Sequence, residues 1–149
     1  MAAAYDVPTY LLDRANIQET IVPTMHLFDT RATAETINSV YTPEIHLDYD
    51  QLPGFSLEVI SYRNTLIDLP QPMGKNLTTH PNRCHVSAYA HGWFYNRDAE
   101  RFPRLMVRRQ GGKWKLELVR CKELEEEGES PWRINKQQVR LSWQDLPTQ

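Results

Sequence analysis

Apolar residues recur along this chain on a helical period at first and on a strand period later, and the change of period divides it. Ile17, Ile21, Met25 and Phe28 follow at spacings of four, four and three, one stripe of a helix that Asp13 can cap. The ring of Pro23 displaces the carbonyl four residues back, so a kink is expected there. Asp29-Thr30 closes this helix and can start a second, with a short stripe of Ala34, Ile37 and Val40 that Pro43 stops. From Glu44 to Asp50 the pattern alternates: Ile45, Leu47 and Tyr49 share one face of a half-buried strand, and His46, Asp48 and Asp50 the other. After a Pro53-Gly54 turn, Ser56 can cap a third helix through Val59, Ile60, Arg63, Leu66 and Ile67, ended by Pro70 and Pro72.

A loop through Met73-Gly74-Lys75 then leads to Thr79-His80, and the rest reads as a meander of four strands at about 83–96, 102–110, 113–124 and 131–143. Turns are expected at Arg97-Asp98-Ala99, Gly111-Gly112 and Gly128-Glu129. Helices first and strands afterwards predict an α+β fold, and 149 residues suit one domain spanning 1–149 with a core of its own.

Composition narrows the function. A formal net charge of -2 offers no general attraction for phosphate backbones, so nucleic acid is not an expected partner. The N-terminus lacks a basic segment followed by an apolar one, and no stretch approaches the roughly 20 apolar residues of a membrane span, so a soluble, cytoplasmic protein is expected. Cys84 and Cys121 are expected to be reduced thiols. The chain contains no glycine-rich phosphate loop, no CxxC pair and no GxSxG elbow, which argues against nucleotide, redox-pair and covalent serine chemistry.

Histidine and acid clusters give no metal site. His85 and His91 share a strand face but stand six residues apart, about 20 Å at 3.3 Å per residue. His46, Asp48 and Asp50 are successive same-face residues with bases about 7 Å apart, which suits a solvated face better than one ion. On strand 83–96 the odd residues His85, Ser87, Tyr89, His91, Trp93 and Tyr95 oppose the mostly small even set of Val86, Ala88, Ala90 and Phe94, which suits packing under helices; the odd face suits a pocket wall or a dimer interface. The run Glu123 to Glu129 reads as a solvated hairpin turn, with Glu123, Glu125 or Arg120 able to reach a pocket.

The order of elements, together with Leu27-Phe28-Asp29, Tyr41-Thr42-Pro43-Glu44, Asp48-Tyr49, Thr79-His80, Trp132-Arg133-Ile134 and Trp143, resembles the SnoaL-like and scytalone-dehydratase-like branch of the nuclear transport factor two superfamily. The resemblance implies a curved antiparallel sheet and about three N-terminal helices forming a cone-shaped pocket, often in a homodimer. It also implies acid–base chemistry without metal or organic cofactor on a hydrophobic small molecule. Gly112-Lys113-Trp114 could replace Trp132 as the closing strand, but the interval from His80 leaves room for a full meander before Trp132.

By the same resemblance, three residues are candidates for catalysis. His80 would shuttle a proton, since neutral imidazole gives and takes protons near neutrality. Asp29 would orient or ionise it, and the Tyr49 phenol would stabilise a developing enolate or alkoxide. Phe28, Tyr41, Tyr89, His91 and Arg120 are candidate substrate contacts. Phe28 stands where the family's dehydratases carry a second tyrosine, which favours an isomerase or cyclase of a polycyclic, polyketide, terpenoid or alkaloid intermediate over a dehydratase (lyase). A ring-opening hydrolase using Asp29 with Arg31 or Arg63, and a non-catalytic ligand-binding or protein-association module, are the alternatives.

Overall fold

Helix α1 (Val7–Asp29) begins seven residues earlier than a cap at Asp13 would place it, because a different aspartate, Asp6, caps it. The Thr9 N–H and hydroxyl both donate to Asp6 Oδ1, at 2.9 and 2.6 Å, and these bonds hold the Asp6 carboxyl below its usual range. Asp13 is therefore not a cap but a buried mid-helix carboxylate. The helix continues through Pro23, with Tyr10, Ile17 and Ile21 on its buried side. The structure is a computed structural model that describes residues 4–29, 34–49, 57–72, 79–97 and 103–145; the side chains of 25–29, 49, 57–64, 94–97 and 103–107 lie outside that description. The expectations placed on Thr30, Arg31, Asp50, Pro53-Gly54, Ser56, Met73-Gly74-Lys75 and Asp98-Ala99 also fall outside the described residues.

α2 (Ala34–Val40) and β1 (Tyr41–Tyr49) form where the periodicity places them, but β1 begins before Pro43, and Ile37 and Leu47 of the two expected inward stripes are exposed. The third helix does not form: Leu57–Asp68 is strand β2, paired antiparallel with β3 (Arg83–Arg97). Val59, Ile60, Thr65 and Ile67 are β-branched, a class that loses side-chain freedom in a helix and fits a pleated surface. A register shift between Arg63 and Leu66 disturbs the alternation that would have revealed the strand.

The expected turn at Gly111-Gly112 is also absent. β4 is one strand, Pro103–Arg120, and its glycines serve close approach rather than chain reversal. A Cβ at Gly111 would overlap the Trp143 indole, and one at Gly112 would overlap the Arg140 carbonyl, on the neighbouring strand β5 (Trp132–Asp145). β4 ends at Arg120 instead of running on to residue 124, and Lys122–Glu126 forms the short helix α3. Gly128, at φ +79°, ends that segment, with its N–H donating to the Glu125 carbonyl at 3.1 Å.

The sheet order is β1-β5-β4-β3-β2. β2 to β5 pair antiparallel, while β1 lies parallel to β5 at one edge, so the sheet is mixed. On the helix side Cys84, Val86, Ala88 and Ala90 of β3 meet Trp114, Leu116 and Leu118 of β4 and Trp132, Ile134 and Val139 of β5, and α1 covers this layer with Ile17 and Ile21. Among the described residues the architecture is thus α+β with two N-terminal helices, where about three were expected, plus α3 between β4 and β5.

Candidate active site

Alternate residues of β4 from position 108 to 118 face the helix side, and the first two of them are polar. Arg108 is 1% exposed and Gln110 7% exposed, on the same face as Trp114, Leu116 and Leu118. Burial disfavours the charged guanidinium and lowers the Arg108 pKa. Gln144, with its amide oxygen turned inward, accepts from Arg108 Nε at 3.3 Å and Nη1 at 3.1 Å. The side-chain oxygen of Gln110 is buried and meets no donor among the described residues. On β5, Gln137 is fully buried and its Oε1 accepts from the Tyr41 hydroxyl at 3.0 Å.

Strand register shows why these groups form a strip. Gly92 of β3 lies opposite Gln110, Ala90 opposite Gly112, and Ala88 opposite Trp114, so small residues border the polar positions. Tyr49 is aligned with Val139, whose own partner on β4 is Trp114, placing the end of β1 in the same half of the sheet. A buried guanidinium and an amide oxygen that meets no donor among the described residues can receive a developing oxyanion and accept from a hydroxyl or N–H.

The three residues expected to act together are not brought together. His80 stacks edge-on against Tyr5, ring centroids 5.3 Å apart, just before α1 begins, whereas Asp29 is the last residue of that helix. The 22 residue steps from Val7 to Asp29 correspond to about 33 Å of helical rise. Tyr49 is similarly remote: its partner Val139 lies seven residues, about 23 Å, along β5 from Trp132, near which the His80 loop joins the sheet. Phe28 shares the α1 terminus with Asp29. Tyr89 and His91 lie on the sheet face away from the helices, alongside exposed His85.

Arg120 is occupied at the other end. Its guanidinium pairs with Asp13 through Nη2, with Glu125 Oε1 through Nη1 at 2.7 Å, and donates from Nε to the Pro81 carbonyl at 2.9 Å. It also lies 4.8 Å from the Trp132 ring centroid. Trp132 Nε1 donates to Asp13 Oδ1 at 3.0 Å, so Asp13 ties α1 to both β4 and β5. Tyr5 is fully buried beside this pair; burial and then the Asp13 charge raise its phenol pKa well above the usual value.

The sequence reading missed Arg108, Gln110 and Gln137 as candidates. A turn placed at Gly111-Gly112 separated Arg108 and Gln110 from Trp114, Leu116 and Leu118; unbroken alternation from 108 to 118 was the available signal. On β1, Ile45 packs against the core as its alternation predicts, while Asp48 on the outer face pairs with Arg140 at 2.7 Å and accepts from Gln138 at 2.8 Å. Cys84 and Cys121 are free thiols, and burial raises Cys84 to about 12. Among the described residues no cluster of His, Cys, Asp or Glu is arranged to hold a metal, and no helix is long and apolar enough to cross a membrane.

No family model and no curated protein matches this chain. Solved structures do. A protein from Kribbella flavida superposes with TM-score 0.61 at 17% identity, covering 91% of this chain and 95% of that one. A candidate scytalone dehydratase from Novosphingobium aromaticivorans gives 0.62 at 12% identity, over 95% of this chain and 92% of that one. A candidate aromatic ring hydroxylase from the same organism gives 0.59 at 13%, over 92% and 94%. At such identities the likeness is one of fold. It is the fold to which the motifs pointed, that of the SnoaL-like and scytalone-dehydratase-like branch of the nuclear transport factor two superfamily.

Proposed function

We propose that the protein catalyses cofactor-independent proton transfer on a hydrophobic, oxygenated small molecule held on the helix side of the sheet. The observation that carries this reading is the buried polar strip of Arg108, Gln110 and Gln137 within an otherwise apolar layer. Burying a polar group costs free energy unless it is hydrogen-bonded; Gln137 and Arg108 have protein partners, whereas Gln110 Oε1 meets no donor among the described residues and suits a substrate hydroxyl.

In this reading Asp29 takes a proton next to a carbonyl, Tyr49 donates to the carbonyl oxygen, and Arg108 stabilises the enolate charge that develops. Each contribution of this kind is typically worth about a hundredfold in rate. Isomerisation or cyclisation of a natural-product intermediate is favoured, with dehydration disfavoured by Phe28 in place of a phenol. The homodimer implied by the resemblance belongs to the same proposal, and sedimentation tests it. Because His80 stands about a helix length from Asp29, it is reassigned to packing against Tyr5.

The separation of His80 from Asp29 also favours a second reading, a ligand-binding module without catalysis. Metabolite profiles of the producing cell, with wild-type, Asp29→Asn or Gln110→Leu protein at equal level, decide between them. An isomeric or uncyclised precursor accumulating with Asp29→Asn supports catalysis. Profiles unchanged with both folded variants, while a metabolite co-purifies with the wild type alone, support binding.

A further inference from the structure

The sheet face away from the helices contains a hollow of about 310 Å³, lined by Leu66, Ser87, Tyr89, Lys113 and Lys115 and floored by Ala88 and Trp114. Register creates it. Ser87 lies opposite Lys115 on β4 and Leu66 on β2, and Tyr89 lies opposite Lys113, so one small residue sits among long ones. The side chains of Ala88 and Trp114 turn to the buried face. Leu66 is left 67% exposed at the rim, a large apolar surface that a ligand could cover.

Charge on this face is unevenly neutralised. Arg83 pairs with Glu117 at 2.8 Å, Arg109 with Asp145 at 2.6 Å and Arg140 with Asp48 at 2.7 Å. Lys113 and Lys115, the two cations at the hollow, have no acidic partner among the described residues, although the whole chain is net acidic. As same-face neighbours on one strand their bases lie about 7 Å apart, a span that one anionic group between two flexible ammonium arms can bridge.

We propose that this hollow binds an amphipathic anion, a small molecule with an acidic head on a flat apolar body. The head pairs with Lys113 and Lys115 and accepts from the Ser87 hydroxyl; the body lies on the Tyr89 ring and Leu66. Beyond Tyr89 the apolar path continues through His91, at 6.3 Å between ring centroids, to Trp93 and Trp143, each within about 6 Å of His91. The hollow is at the small end of ligand-sized sites, and it lies across the sheet from Arg108 and Gln110, so it stands apart from the proposed reaction.

The full-length chain is titrated with anilinonaphthalene sulfonate, followed by fluorescence, and with uncharged N-phenylnaphthylamine as the neutral comparison. Expected are saturable binding of the anion that weakens with salt, at least about tenfold weaker binding of the neutral probe, and at least about tenfold loss of anion affinity in the Lys113→Glu/Lys115→Glu double variant. Ser87→Phe fills the hollow and gives the same loss with an unchanged circular dichroism spectrum. Anion binding retained in both variants overturns the assignment, as does binding that only Gln110→Leu removes. A wild-type dimer that the double lysine variant dissociates would seat a second copy on this face and also overturn it.

Discussion

The two ends of the buried sheet face treat polar groups in opposite ways. At the α1 start the charged groups are paired: Asp13 is satisfied by Arg120 and Trp132, and Arg120 is further held by Glu125, the Pro81 carbonyl and the Trp132 ring, while the buried Tyr5 hydroxyl beside them meets no hydrogen-bond partner among the described residues. At the other end, Gln110 presents an unmet oxygen, and Arg108 is held by an amide of the exposed residue Gln144. A closed network fixes α1 against β4 and β5; an open one keeps hydrogen-bonding capacity for something else. The charged residue that looked most like a substrate contact in the sequence, Arg120, belongs to the closed end, and Arg108 and Gln110, which the sequence reading did not single out, belong to the open one.

The largest effect should come from breaking the closed end. Asp13→Ala removes the acceptor of the buried Arg120 Nη2 and of the Trp132 indole N–H and should lower unfolding free energy by about 3 kcal/mol, whereas Gln110→Leu should stay within about 1 kcal/mol of wild type. Urea denaturation measures both. Equal losses would mean that Gln110 is as structural as Asp13, and would remove the basis for the open site.

Next come the two glycines between these ends. Gly112→Ala should cost about 1–3 kcal/mol because the obstacle is the Arg140 backbone. Gly111→Ala should cost less, because the nearest atoms it meets belong to the Trp143 side chain, which is 39% exposed and can swing aside. Melting temperatures that rank them in the reverse order would refute the close-approach account of β4.

A smaller effect is expected at Tyr41. Tyr41→Phe removes the donor to buried Gln137 and should cost about 1 kcal/mol in the same urea assay. A neutral result would place Gln137 with the open residues rather than the closed ones.

The smallest effect lies on the outer face. Hydrogen bonds from Arg140 and Gln138 hold Asp48 down at about 2, from an ordinary 3.8. A depressed carboxyl contributes stability that is present above its unfolded pKa and lost as pH falls through its folded one. The melting-temperature advantage of wild type over Asp48→Asn should therefore be present at pH 5 and disappear as pH falls from near 4 to 2. An advantage that persists at pH 2 would exclude the carboxylate as its source.

Much of the fold was legible because it rests on local period. α1, β3 and the last strand were visible in spacing, since each has one face against the core and one away from it; α2 and β1 were also located, although Ile37 and Leu47 of their apolar stripes are exposed. β2 was not, because its apolar residues fit both periods and an edge pairing with β3 decided between them. The site was less legible. The motif positions Asp29, Tyr49 and His80 could be picked out one at a time, but whether they meet depends on the length of α1 and the register of β1 with β5.

By itself the sequence determined the α+β class, the absence of familiar phosphate, redox-pair and nucleophile-elbow motifs, and most element positions, because these depend on residue type and short-range spacing. Only the tertiary structure decided that Gly111-Gly112 is passed through rather than turned at, that Asp13 and Arg120 are partners across 107 positions, and that Arg108 and Gln110 are buried together. These outcomes are set by register and by which side of the sheet the helices cover, and a one-residue slip in a strand exchanges its faces without altering its local period.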